Sequence, residues 1–147
     1  MAALFRGKEF ALARLLDAAL AKLPEGRKSM EDAAAASSYD VLYDLRRNVR
    51  PLGIVANVAP LLGLLGTVFG MIRAFDRVSA GGLGRGEELA GGIAEALITT
   101  GAGLMVAIPS FLLYHFYRGR SEDLVRKAEA QTSTFVDRAA ATAESKG

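Results

Sequence analysis

Cysteine and tryptophan are absent from this 147-residue chain, and histidine occurs once. Without cysteine there is no disulfide framework and no thiolate metal site. One histidine, His115, supplies a single imidazole, which argues against a metal centre and leaves no pair of histidine bases. A phosphate-binding glycine loop is missing too. The glycines at 81, 82, 84 and 86 follow no strand pattern and precede no Lys-Ser/Thr. No nucleophile–base pair is visible, so no enzyme activity, cofactor or metal is expected. No secretory signal is expected in the first twenty-three positions, because Arg6, Lys8, Glu9, Arg14, Asp17 and Lys22 leave no clean apolar core there.

Charge is scarce in two places. No charged residue occurs from Leu52 to Ile72, nor from Ala96 to Tyr117. At about 1.5 Å of rise per residue each stretch reaches roughly 30 Å, the thickness of a bilayer's hydrocarbon core. The net charge of +2 does not point to nucleic acid. Arg46, Arg47 and Arg50 precede the first stretch, and Arg118, Arg120, Arg126 and Lys127 follow the second. Basic flanks around uncharged helices fit the positive-inside rule. The charges of the link, Arg73, Asp76, Arg77, Arg85, Glu87 and Glu88, cancel. Both termini are therefore expected in the cytoplasm, with residues 76–88 outside.

The expected fold is all-α: an integral membrane helical hairpin with long cytoplasmic helical extensions. Residues 1–50 are read as a cytoplasmic helical region and 51–120 as the two-span region. The spans are 52–72 and 93–117 with a linker at 73–92, and 121–147 is a cytoplasmic helix and tail. Phe5–Leu23 carries a stripe of Leu12, Leu15, Leu16, Ala19 and Leu23, ended by Pro24-Glu25-Gly26. A second helix is expected from Ser29, with Asp32 in an imperfect capping box, toward Arg50. It presents Tyr39, Leu42, Leu45 and Val49, with Ser37-Ser38 able to interrupt it and a bend possible at Pro51. After the second span, Leu124, Ala128, Thr132 or Gln131, and Phe135 form the expected apolar side, with fraying after Val136.

Inside the spans, small and polar residues stand out. Gly63, Gly66, Gly70 and Gly103 permit close helix approach. Pro60 and Pro109 each free a carbonyl one turn earlier and are expected to bend their helices. Thr67 lies about 7 Å past the middle of the first span, and Thr100 about 9 Å before the middle of the second. In an antiparallel pair these hydroxyls share one level. They could form a polar ring in an assembly of copies, or each could bond its own helix. Glu95 sits at the outer end of the second span with Thr99 one turn on. Thr100 is rotated by about 140° from Glu95, so the two cannot point straight into one narrow pore. Glu95 could instead pair with Arg73, Arg77 or Arg85. Tyr114, Phe116 and Tyr117 form an aromatic girdle, with His115 an interface residue.

The stretches APLLGLLGTVFGMI (59–72), GIAEALITT (92–100) and GLMVAIP (103–109) resemble the MotA/TolQ/ExbB proton-channel family, particularly ExbB and TolQ, over residues 38–130. The resemblance implies a homopentamer in the cell inner membrane, surrounding a single-span partner of the ExbD/TolR type. An Asp in that partner's span would take up and release protons. Thr67, Thr100 and Glu95 match the family's pathway residues, with Thr99 grouped beside them. A TonB- or TolA-like energy transducer would carry the work to the outer membrane or envelope. Family members have a further span before the cytoplasmic helices, and none is legible here. The alternative is a non-conducting structural hairpin or a truncated piece of such a subunit.

Overall fold

The computed structural model describes residues 2–81 and 86–144. The described residues form four α-helices: α1 (Ala2–Ala21), α2 (Arg27–Arg47), α3 (Arg50–Gly81) and α4 (Gly86–Glu144). A short 3-10 turn, Leu23–Glu25, joins α1 to α2. The chain divides into two compact units. One comprises Met1–Val49 with Tyr117–Gly147, the other Arg50–Phe116.

The first unit is a three-helix bundle of α1, α2 and the C-terminal part of α4. Ala11 and Leu15 meet Val41, Val125 and Ala128, with Leu12, Leu42 and Leu45 packed around them. Farther along, Ala19, Met30 and Val136 form a second cluster with Ala34 and Ala139. Burial of side chains as large as Leu15, Met30, Val41 and Val136 contributes about 1.5–3 kcal/mol each. Ion pairs link the helices at the bundle's surface: Arg14–Asp44 at 2.7 Å and Arg27–Asp137 at 2.7 Å.

Several details differ from the sequence expectation. Helix α2 begins at Arg27 rather than Ser29, and Ser29 gives it no side-chain cap. Its N-cap is Gly26, at φ 93° and ψ 175°. Side chains rarely adopt that backbone conformation, which lets the chain turn sharply between α1 and α2. Gly26→Ala is therefore expected to cost about 1–3 kcal/mol, seen as a lowered thermal midpoint of the solubilised chain.

The buried face of α2 is Met30, Ser38 and Val41, while Tyr39 is exposed. Ser37 and Ser38 do not interrupt the helix. Ser38 Oγ donates to Ala35 O at 2.8 Å, and Ser37 Oγ donates across to Arg14 O at 3.3 Å. Nor does α4 fray after Val136; it continues to Glu144 because Val136 and Ala139 still meet α1 and α2. Val136 takes the buried place expected for Phe135, and Gln131 is exposed whereas Thr132 is buried.

Helices α2 and α3 are separate. Pro51 has no N–H, and its ring would clash with the Arg47 carbonyl in a continuous helix. The chain turns at Asn48–Val49 instead, with Val49 N bonded to Arg46 O, and Pro51 falls in the first turn of α3 where no donor is needed. Pro60 and Pro109 lie inside helices that continue past them. The glycine-rich link is also shorter than its composition suggests. Helix α3 runs to Gly81 and α4 starts at Gly86; residues 82–85 lie outside the described residues.

Glu122 accepts from Arg118 Nε at 3.3 Å and from Arg46. The Arg118 hydrogen bond is the largest cause that holds its carboxyl below the ordinary value of 4.5; desolvation opposes it, and the charge and hydrogen bond of Arg46 add to the lowering. A lowered folded-state pKa means stability that is present above the unfolded value and lost as pH falls through the folded one. The thermal midpoint should therefore decline below about pH 4.5. Glu122→Gln should remove that part of the decline, and added salt should weaken it, because the pair is exposed.

The second unit is the antiparallel pair of α3 and the first part of α4. Only 11% and 17% of the most apolar windows of these helices are buried within the chain. Leu61, Leu62, Leu64, Ile98, Met105 and Leu112 are all more than half exposed. That much continuous apolar surface suits lipid or neighbouring helices, not water.

Candidate functional site

The two membrane helices meet along a seam of small residues. A Cβ placed on Gly103 would lie 2.7 Å from Ala59 O, and one on Gly63 would lie 3.1 Å from both Thr100 Cα and Thr99 O. On Gly66 it would strike Thr99 Oγ1 at 2.5 Å, and on Gly70 it would strike Ala96 Cβ at 2.8 Å. Gly92 lies against Ala74 in the same way. Spacings of three and four keep these positions on one face of each helix. Backbones that approach this closely gain dispersion contacts that larger side chains would prevent.

The sequence reading had half of this seam. Ala96 and Gly92 on α4 were not singled out, although with Thr99, Gly103 and Ala107 they repeat at the same spacing. Near the other end, Gly53 leaves room for the ring of Tyr114, which a Cβ would meet at 2.8 Å. His115 is exposed and packs beside Phe111 and Tyr114, with ring centroids 4.3 and 5.2 Å away. Pro60 is half-buried and Pro109 exposed.

The hydroxyls lie at this seam. Thr100 Oγ1 donates across it to Gly63 O at 3.2 Å. Thr99 Oγ1 donates to Ala96 O at 2.7 Å and sits over Gly66. Thr67 Oγ1 donates to Leu64 O at 2.6 Å. Contacts of Gly63 with Thr100 and of Gly66 with Thr99 put Thr67 level with Thr99 and Thr100.

Direction separates them. With Gly63 and Gly103 as the seam's centre and about 100° per residue, Thr67 is rotated about 40° and Thr100 about 60°, toward the same flank of the hairpin. By the same measure Thr99 and Glu95 turn about 40° and 80° to the opposite flank. The ion pair agrees with this assignment. Arg73, which also turns to that second flank, has its Nη1 4.0 Å from Glu95 Oε1. Both groups are largely exposed, so the pair is loose. Of the four polar candidates, one flank therefore holds Thr67 and Thr100, and the other holds Glu95 and Thr99.

Beside Thr67, on its own flank, α3 carries a shallow open groove of about 520 Å³, lined by Val68, Met71, Ile72, Phe75 and Asp76 as well. It is almost wholly apolar, with the threonine at one end and the carboxylate at the other. Among the described residues no cluster of His, Asp or Glu could hold a metal ion.

The MotA/TolQ/ExbB proton channel family matches residues 8–130, which include the whole seam. The chain belongs to that family. It is 40% identical over 110 residues to the putative biopolymer transport protein ExbB-like 1 of Synechocystis, covering 73% of this chain and 43% of that protein. Against the Tol-Pal system protein TolQ of Haemophilus influenzae, identity is 39% over 96 residues, or 65% of this chain and 40% of TolQ. The biopolymer transport protein ExbB of Aquifex aeolicus is 41% identical over 73 residues, half of this chain and 49% of that one. This ExbB/TolQ-type chain spans less than half the length of each of these relatives. Membership of a channel family, together with two helices able to cross a bilayer, makes it a multi-span inner-membrane protein and not an enzyme.

Proposed function

We propose that this chain is a wall subunit of an inner-membrane proton channel that couples the proton motive force to work on the envelope or on outer-membrane transport. One observation carries the reading. Thr67 and Thr100, set on different helices, share one level and one flank of a hairpin otherwise free of hydroxyls on that side at that depth. Copies arranged in a ring with this flank inward would present a belt of hydroxyls to whatever occupies the lumen. A hydroxyl both donates and accepts, so it can bond a carboxylate, its protonated form or water without taking a charge itself.

The proposed occupant is the single span of an ExbD/TolR-like partner bearing one Asp, with five copies of this chain around it. Protonation of that Asp removes a charge costly in lipid and lets the helix move past the belt. A TonB- or TolA-like transducer would carry the motion onward. The termini are placed in the cytoplasm on the strength of the basic flanks. Glu95 is assigned to the opposite flank, where Arg73 balances its charge and the two steady the outer turns of the hairpin.

The test is the mass of the detergent-solubilised complex after co-expression with the candidate partner. A closed ring containing several copies of this chain and the partner is expected. A chain that purifies as a monomer or partner-free dimer would contradict the reading and favour a non-conducting hairpin.

A further inference from the structure

Asn57 lies in the apolar part of α3, is exposed, and has no part in the glycine seam. Its Nδ2 donates to Gly53 O at 2.7 Å, its one hydrogen bond among the described residues. The carbonyl oxygen of the amide and a second N–H remain to be satisfied. Next to it, Ala56 has lost the ladder donor to its carbonyl, because the residue four positions on is Pro60. An amide turned into hydrocarbon with these groups unpaired is unfavourable, so Asn57 must face water or polar protein. Its direction is informative. Measured from the Gly63 seam centre, Asn57 is rotated about 120° to the flank that carries Thr67 and Thr100, and it sits about 15 Å from Thr67 toward the Arg50 end of α3.

We propose that Asn57 is a further residue of the conduction path, holding water on the threonine flank between the hydroxyl belt and the Arg50 end. This rests on the reading of that flank as lumen-facing. The amide's role is that of a neutral station: it donates to and accepts from water and takes no proton itself. Protons would pass along the waters it holds.

The natural absence of cysteine makes the test clean. Asn57→Cys, Thr67→Cys and Val58→Cys are made singly in the full chain within its native membrane. Each is treated in permeabilised vesicles with a charged, membrane-impermeant methanethiosulfonate. Val58 is the control, since it is at nearly the same depth, exposed, and turned away from the threonine flank. Asn57→Cys and Thr67→Cys should both label at least about tenfold faster than Val58→Cys. Fast labelling of Thr67→Cys with Asn57→Cys no faster than the control would overturn this inference alone. Slow labelling of Thr67→Cys would count against the lumen-facing flank itself, and against this inference with it. A second measurement reads function: Asn57→Leu should lower proton flux about tenfold, and Asn57→Ser should recover most of it. Unchanged flux in Asn57→Leu would also overturn the proposal.

Discussion

Gly103→Val is expected to destabilise the hairpin strongly, whereas Gly101→Ala, two residues away, is expected to leave it intact. The contrast follows from what each new atom would meet. A Cβ on Gly103 lies 2.7 Å from the Ala59 carbonyl oxygen and 3.0 Å from Gly63 Cα, both of them backbone. No side-chain rotation can relieve that contact; only separation of the helices can, and separation also breaks the Thr100–Gly63 hydrogen bond. Overpacking of this kind costs at the upper end of about 1–3 kcal/mol. At Gly101 nothing lies within 4 Å of an added Cβ. Replacing a helical glycine by alanine there should be neutral or favourable by up to about 1 kcal/mol. Thermal unfolding of the solubilised chain, followed by its helical signal, reads both. Equal midpoints would show that α3 and α4 do not pack as described.

Replacing both Thr67 and Thr100 with Ala should eliminate proton-coupled uptake while the complex still forms. Thr100 also bonds across the seam, so its removal has a structural cost of roughly 0.6 kcal/mol, the average for such bonds between membrane helices. That is too small to prevent assembly. Loss of both hydroxyls should raise the barrier to proton passage by more than about 1.4 kcal/mol, reducing uptake at least about tenfold. The Thr67→Ser/Thr100→Ser variant, which keeps both hydroxyls, should retain most activity. The readouts are growth dependent on energised uptake and the yield of crosslinked complex. Lost growth with lost complex would indicate a structural role instead.

The level of the two threonines was legible in the sequence because helical rise is nearly constant and two uncharged stretches fix where each helix lies. Their shared flank was not. It depends on where the seam's centre falls, and that needed the contacts of Gly63 with Thr100 and of Gly103 with Ala59. The incompatibility of Glu95 and Thr100 was visible from rotation alone, though which of three arginines Glu95 approaches was not. In the bundle, Leu15 and Ala19 are recognisable from their stripe, and Leu42 and Leu45 of α2 pack against the core, but Tyr39 lies outside it. Tyr39 is large and aromatic and yet exposed, while small Ser38 is buried with Met30 and Val41, its hydroxyl satisfied within α2 by Ala35 O. The end of α4 was misjudged for a related reason: helicity after Val136 depends on packing against Ala19 and Met30, which local propensity does not report.

Proton flux measured in liposomes tests the central claim most directly. The complex of this chain with its single-span partner is reconstituted, a pH difference is imposed, and internal pH is followed by a trapped dye. The wild-type complex should acidify the lumen, and Thr67→Ala/Thr100→Ala complexes of the same mass should do so at least about tenfold more slowly. Equal rates in the two would contradict the assignment of the hydroxyl belt to the proton path.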